Sequence, residues 1–325
     1  MEYIKLGNTG LDVSRVCLGC MCFGSMPDGT LPWLLNADDS GAIIKRALEL
    51  GVNFFDTANC YANGTSEEFL GKALKGYNRD EIVVATKVFI RMRQGANGQG
   101  LSRKNIMAEI DHSLKRLGMD YIDLYIIHRW DYHTPVEETM SALHDLVKSG
   151  KVRYIGASAM YAWQFQKAQY TAEKNGWTKF VSMQNHYNLI YREEEREMIP
   201  LCIDQKIALT PYSPLAGGRL ARDWSADTER FKNDKTAQGK YDSTQDTDKA
   251  IVDRVAEVAQ KHGVPYSHIA LVWLRQKEPV AAPIVGVTKM SHLEDAAASL
   301  PLILTADEMT FLEEPYVPHK VVGAI

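Results

Sequence analysis

Eight short runs rich in β-branched and aromatic residues recur along the chain, near 16–20, 52–55, 82–86, 121–127, 152–157, 180–184, 207–212 and 280–285. Amphipathic segments separate them. Val136, Met140, Leu143 and Val147 repeat at helical spacing, as do Ile106, Ile110, Leu114 and Leu117, and Ile251, Val255 and Val258. Thr134-Pro135 followed by Glu137-Glu138 reads as an N-cap, a first-turn proline and acids favoured by the helix dipole. Gly118 and Gly150 stand where helices should stop. This alternation is the pattern of repeated βα units. Eight of them point to an α/β fold closed as a (β/α)8 TIM barrel, in which reactive groups gather at the carboxyl ends of strands. A turn at Gly7-Asn8-Thr9-Gly10 predicts an N-terminal β-hairpin. Pro211 and Pro283 fall inside strand candidates, where a missing N–H is costly. Residues 217–248 are polar and charge-rich and are read as a long loop over the carboxyl-terminal face. Pro315 to His319 reads as an extended surface tail. The whole of 1–325 is expected to form one domain.

Composition narrows the function classes. A net charge of -4 without a Lys/Arg block argues against a nucleic-acid partner. No apolar stretch approaches the ~20 residues of a membrane span. The opening Met-Glu-Tyr-Ile-Lys lacks a signal-peptide pattern, so the expected address is cytoplasmic. Cys17, Cys20, Cys22, Cys60 and Cys202 are an odd set, which speaks against a disulfide framework. The C-x-x-C-x-C cluster at 17–22 lacks the further ligands of a four-coordinate metal site, so no metal is expected.

Four ionisable residues sit just beyond the strand-like runs: Asp56, Tyr61, Lys87 and His128. A buried lysine is stabilised as a cation by an anion, and Asp56 is the candidate. A cation beside a phenol lowers the phenol's pKa from its reference of about 10, preparing it to give a proton to a developing alkoxide. His128 can orient the same oxygen. A proton donor aimed at a carbonyl oxygen needs a partner attacking the carbon, and a bound hydride donor would serve. No G-x-G-x-x-G follows a strand, so these residues alone do not name that donor.

Further motifs carry a resemblance. They are Leu18-Gly19-Cys20-Met21, Phe54-Phe55-Asp56-Thr57-Ala58-x-x-Tyr61, Ser66-Glu67-Glu68-x-x-Gly71, Ala85-Thr86-Lys87, Asp123-Leu124-x-x-x-His128, Tyr154-Ile155-Gly156-x-Ser158, Gln184-x-x-Tyr187-Asn188-Leu189 and Tyr212-Ser213-Pro214-Leu215. With them the chain resembles the aldo-keto reductases, in the branch that includes aryl-alcohol dehydrogenases and potassium-channel β-subunits. The resemblance implies an oxidoreductase that reduces aldehyde or ketone carbonyls of small molecules with NADPH, giving NADP+. It makes Tyr61 the general acid, Lys87 its partner, Asp56 the lysine's anchor and a cofactor neighbour, and His128 the orienting group. It sets Cys20 and Met21 beside the nicotinamide ribose, Ser158 and Gln184 on the carboxamide, and Tyr212 under the ring. Ser213, Leu215 and Gly217 match the pyrophosphate stretch. Gly286, Thr288, Lys289, His292 and Asp295 match the adenosine-phosphate segment, and Lys289 with Arg222 would meet a 2′-phosphate. Ala159, Ala296 and the pair Arg222-Asp223 depart from the family's residues at their positions.

Two other classes remain open. One is a cofactor-binding regulatory or partner subunit with little turnover. The other is a metal-dependent barrel hydrolase built on the run His128 to His133, for which Lys87 and Tyr61 are poor ligands. Trp33, Trp130 and Trp224 could line a substrate pocket as readily as they could pack. The substrate and the oligomeric state are not written in these patterns.

Overall fold

The computed structural model describes residues 1–26, 33–224 and 234–323. A two-stranded antiparallel hairpin, β1 (Tyr3–Lys5) and β2 (Asp12–Ser14), precedes eight parallel strands. These are β3 (Cys17–Gly19), β4 (Phe54–Asp56), β5 (Val83–Val88), β6 (Ile122–Ile127), β7 (Val152–Ser158), β8 (Ser182–Gln184), β9 (Ala208–Leu209) and β10 (Ile284–Gly286). They pair in chain order, and β10 pairs with β3. The lead-in to β10 closes the ring against β9: Ala281 N donates to Leu209 O at 2.9 Å, and Ile284 N to Pro211 O at 2.9 Å. The barrel and hairpin are therefore as the sequence pattern predicts. Both prolines lie just outside their strands, where each lends its carbonyl to the ladder without needing an N–H.

Strand alternation decides which residues face inward. Phe54, Val83, Ala85, Leu124 and Ile126 fill the barrel's interior, and Leu6 and Val13 of the hairpin plug its amino-terminal end. Phe55, Val84, Tyr125 and Ile127 point the other way and pack under the helices. The next inward positions are Asp56, Lys87 and His128, each two residues beyond an interior apolar one. Burying each large apolar side chain contributes about 1.5–3 kcal/mol, which offsets the cost of holding ionisable groups above them.

The helices start and stop for local reasons. Asn36 caps Ala37–Glu49 by accepting from Asp38 N and Asp39 N. Ser102 caps Arg103–Leu117, which ends at Gly118 in the left-handed region, φ 63. Thr134 does not cap the helix Val136–Lys148: its hydroxyl donates to Asp131 Oδ2 at 2.8 Å, and Pro135 occupies the cap position. The segment read as a loop at 217–248 is largely helical where it is described, over Lys235–Tyr241 and from Gln245 onward. Residues 225–233 of that loop, and 27–32 of the loop near 22–35, lie outside the described residues. Among the described residues no helix is long and apolar enough to cross a membrane. The tail runs back over the barrel, with Tyr316 donating to Glu193 Oε1 at 2.8 Å, Val322 N to Tyr191 OH at 3.0 Å, and His319 Nε2 2.9 Å from Asp248 Oδ1.

Candidate active site

Lys87 is wholly buried at the carboxyl end of β5. Its ammonium donates to Asp56 Oδ1 at 2.5 Å, to the Thr57 carbonyl at 2.7 Å and to Tyr61 OH at 3.1 Å. Three acceptors match its three N–H groups. The other Asp56 oxygen takes Gln184 Nε2 at 2.8 Å, so the carboxylate joins β5 to β8 across the barrel. The Tyr61 ring meets the His128 ring edge-on, with centroids 5.9 Å apart. The four residues singled out at strand ends thus form one contact network.

Tyr61 reaches this position from a tight turn. Ala62 and Asn63, both left-handed at φ 44 and φ 54, fold the chain back under the phenol. Gly64 follows at φ 95, where an added Cβ would lie 2.8 Å from Arg116 Cδ. Arg116 is itself held by Glu67 at 2.6 Å, and Ser66 Oγ donates to the Cys20 carbonyl at 2.8 Å. A strained turn clamped on both sides fixes one direction for the hydroxyl.

The electrostatics correct one expectation. Burial pushes the Tyr61 hydroxyl up to about 12, and Asp56 adds to that, although Lys87 pulls it down as foreseen. The net shift is upward, because a dry pocket penalises the phenolate more than one cation compensates. Burial alone would lower Lys87, yet Asp56 and Tyr61 raise it above the ordinary lysine range. Burial, Lys87 and Arg129 hold His128 well below its usual value, so its imidazole is neutral. The resting site is therefore a neutral phenol between a permanent cation and a neutral imidazole.

The remaining candidates occupy the same rim. Cys20 is buried, its N–H donating to Asp56 O at 2.8 Å, while Met21 is exposed. Ser158, buried at the end of β7, makes no side-chain hydrogen bond among the described residues. Ala159 follows it left-handed at φ 47, a conformation that Asn tolerates better than Ala. Tyr212 stacks on His186, with centroids 5.3 Å apart and planes 7° from parallel, and its buried hydroxyl has no hydrogen-bond partner among the described residues. Ser213 (φ 55) and Gly217 (φ 65) turn the chain sharply around Leu215. Arg222 folds over Gly218. Gly286 ends β10 with open space where a Cβ would be. Thr288 leads to Lys289, which is exposed at the cap position of the helix Met290–Ala298 carrying His292 and Asp295. These are separate patches around the mouth, unlike the compact quartet.

Some neighbours were not singled out from the sequence. Cys60 Sγ lies 3.8 Å from His128 Nδ1, and the Thr57 carbonyl holds Lys87. Both sit inside the motif that contains Tyr61, so position could have found them. Lys240, on Lys235–Tyr241, places its ammonium 4.7 Å from the Tyr212 ring centroid, and nothing in its polar segment announced that. Among the expected aromatics, Trp130 packs edge-on against Trp163, and Trp224 Nε1 donates to Arg219 O at 2.7 Å. The five cysteines form no disulfide with one another. Among the described residues no cluster of three or more His, Cys, Asp or Glu could hold a metal.

With this geometry in place, comparison with known proteins is direct: the profile of the aldo/keto reductase family matches residues 15–316. The chain belongs to the aldo/keto reductase family. An aldo/keto reductase is an oxidoreductase of carbonyl compounds, and the family generally uses a nicotinamide cofactor. The chain is similar to versiconal hemiacetal acetate reductase of Aspergillus parasiticus, at 46% identity over 99% of this chain and 98% of that one. It is 43% identical to an aldo-keto reductase of Metarhizium robertsii, over 99% of this chain and 93% of that one. A protein of Schizosaccharomyces pombe bearing the provisional name aryl-alcohol dehydrogenase is 43% identical, over 99% of this chain and 98% of that one. The rim of this reductase fits such a cofactor. It offers the buried Ser158, a Tyr212 hydroxyl without a partner among the described residues, a glycine turn at 217–218, and a helix N-terminus beside Lys289.

Proposed function

We propose that this chain, acting as one domain, is an NADPH-dependent reductase of small aldehydes or ketones in the cytoplasm, with Tyr61 as general acid. The observation that carries this reading is the 3.1 Å contact between Lys87 Nζ and Tyr61 OH, with Lys87 fixed by Asp56. NADPH, when bound, supplies the hydride. The chain's own residues do the rest. Tyr61 is protonated at neutral pH and can release its proton only toward an acceptor presented at the barrel mouth. As that proton leaves, the charge growing on the phenol oxygen faces a lysine that cannot move, so no reorganisation is needed at the critical moment. His128, neutral, offers one ring nitrogen as a hydrogen-bond donor to the same substrate oxygen while Cys60 lies against the other. Asp56 and Gln184 keep the lysine oriented. Ser158, Gln184 and Tyr212 would seat the nicotinamide, with Cys20 and Met21 at its ribose. Ser213, Leu215 and Gly217 would hold the pyrophosphate. Gly286, Thr288, Lys289, His292, Asp295 and Arg222 would take the adenosine phosphate end, Lys289 and Arg222 favouring a 2′-phosphate.

Tyr61→Phe tests the assignment. Turnover of an aromatic aldehyde, followed by NADPH absorbance, should fall by about 10²–10⁴-fold, while fluorescence titration shows NADPH still binding. Undiminished turnover would remove Tyr61 from the acid role. A parent protein that binds NADPH but reduces no aldehyde or ketone would instead favour the regulatory-subunit reading.

A further inference from the structure

Two cations at the mouth have no part in the proton chemistry. Arg129 follows His128 directly, and its guanidinium is drawn back to the rim by donating to the His128 carbonyl at 2.9 Å. From there its charge bears on Cys60, His128, Tyr212 and Lys240. Lys240 comes from a different element, the helix Lys235–Tyr241, and lies over the Tyr212 ring. Both side chains are half-buried. Neither forms an ion pair among the described residues.

Three carboxylates near the mouth are engaged elsewhere. Asp56 holds Lys87 and Gln184. Asp131 accepts from Leu101 N at 2.7 Å, from His133 N and from Thr134. Asp234, whose charge does reach Lys240, accepts from Ala237 N at 2.9 Å as a helix cap. Two like charges brought together in a partly dry site repel, and burial with Arg129 beside it depresses Lys240 to about 8. An arrangement of this kind is relieved by an anion between the two groups.

We propose that Arg129 and Lys240 form an anion-binding subsite at the barrel mouth that selects carbonyl substrates bearing a carboxylate. The assignment to substrate rather than to a cofactor phosphate follows from Arg129. It follows His128 at the strand end, and its charge bears on His128 and Cys60, beside the groups that handle the proton. This inference rests on the reductase reading above for the word substrate, but the subsite can be tested without turnover.

The test compares 4-carboxybenzaldehyde with methyl 4-formylbenzoate, which differ in charge and hardly in shape. With NADPH, the parent should show a kcat/KM for the acid at least tenfold above the ester. Arg129→Gln or Lys240→Gln should each lower that ratio severalfold, the double variant should bring it near one, and Arg129→Lys should keep part of it. A parent ratio near one, or a ratio unmoved in the double variant, overturns the subsite. So does an unmoved ratio with weakened NADPH binding, since that gives the cations to the cofactor. Calorimetry of the same two aldehydes on the cofactor-free protein supplies the second readout. Tighter binding of the acid, lost in the double variant, supports the subsite, and equal binding refutes it. Charge-dependent binding in a protein that reduces neither aldehyde would sink the reductase reading alone.

Discussion

The two rims of the barrel both hold buried cations, but they use them differently. At the amino-terminal rim Arg79 donates to the Ile82 carbonyl at 2.6 Å, to the Tyr121 carbonyl at 3.0 Å and to Asp123 at 2.5 Å. Arg15 likewise gives to the carbonyls of Val280, Ala281 and Arg275, and Arg275 to those of Ser299, Leu300 and Leu302. These groups tie strand starts to helix ends. At the carboxyl-terminal rim the ionisable side chains bond chiefly to one another, and Ser158 and Tyr212 keep hydrogen-bonding capacity in reserve. A groove of about 940 Å³ lies at the amino-terminal rim among Tyr3, Asp12, Tyr77 and Asp80. A sizeable hollow alone therefore does not locate the chemistry; the bonding pattern does. A cation bound to main-chain carbonyls braces the fold, whereas one bound to a phenol can tune it.

Substitutions at the two rims should separate these roles. The largest effect is expected from Lys87→Met, which leaves Asp56 buried without its counter-charge. It should lose about 3–5 kcal/mol of stability in urea unfolding and nearly all turnover. Retained turnover in that variant would erase the distinction between the rims. Arg79→Met should lose about 2–3 kcal/mol, because Asp123 keeps Val84 N at 2.8 Å as a donor, with turnover per folded molecule close to the parent's. A collapse of turnover without loss of stability would show that the lower rim takes part in chemistry.

Acid should act through the upper rim. His128 and His186 are both held well below the usual histidine value, burial being the main cause. The unfolded chain binds their protons below about pH 6.5 and the folded chain does not, so stability falls as pH drops through that range, by up to about 1.4 kcal/mol per unit for each group. Melting temperatures at pH 7.5 and 5.5 should show the decline, and His186→Phe should flatten it. An equal slope in that variant would move the acid sensitivity elsewhere. The smallest effect is expected from the exposed Lys289. Lys289→Ala should weaken NADPH binding by up to about tenfold and leave NADH binding alone, as fluorescence titration would show. Equal losses for both cofactors would remove Lys289 from the 2′-phosphate.

How much of this was legible in the sequence follows from the same physics. Asp56, Lys87 and His128 could be found because a strand turns every second residue inward, so a polar residue two beyond a buried one has to face the barrel's mouth. Tyr61 could be found only through its spacing from Asp56, since the left-handed turn at Ala62 and Asn63 has no signature in those residue types. The sign of the Tyr61 shift was misjudged because burial depends on the whole pocket and the lysine on one neighbour. The helix Lys235–Tyr241 was missed because Lys-Thr-Ala-Gln-Gly-Lys-Tyr has no apolar stripe. It is held instead by the Asp234 cap and by Tyr241 OH, 2.7 Å from His186 Nε2. Long-range contacts of that kind leave no local trace, and Lys240 went unseen with them.

Gly323 stands at φ 94 where the tail meets the rim, and a Cβ on it would fall 2.6 Å from the Tyr212 hydroxyl oxygen. The last turn of chain thus acts as a gauge of one atom's width. Any larger residue placed there would press on the ring proposed to support the nicotinamide, carrying a change in the tail into the proposed cofactor site.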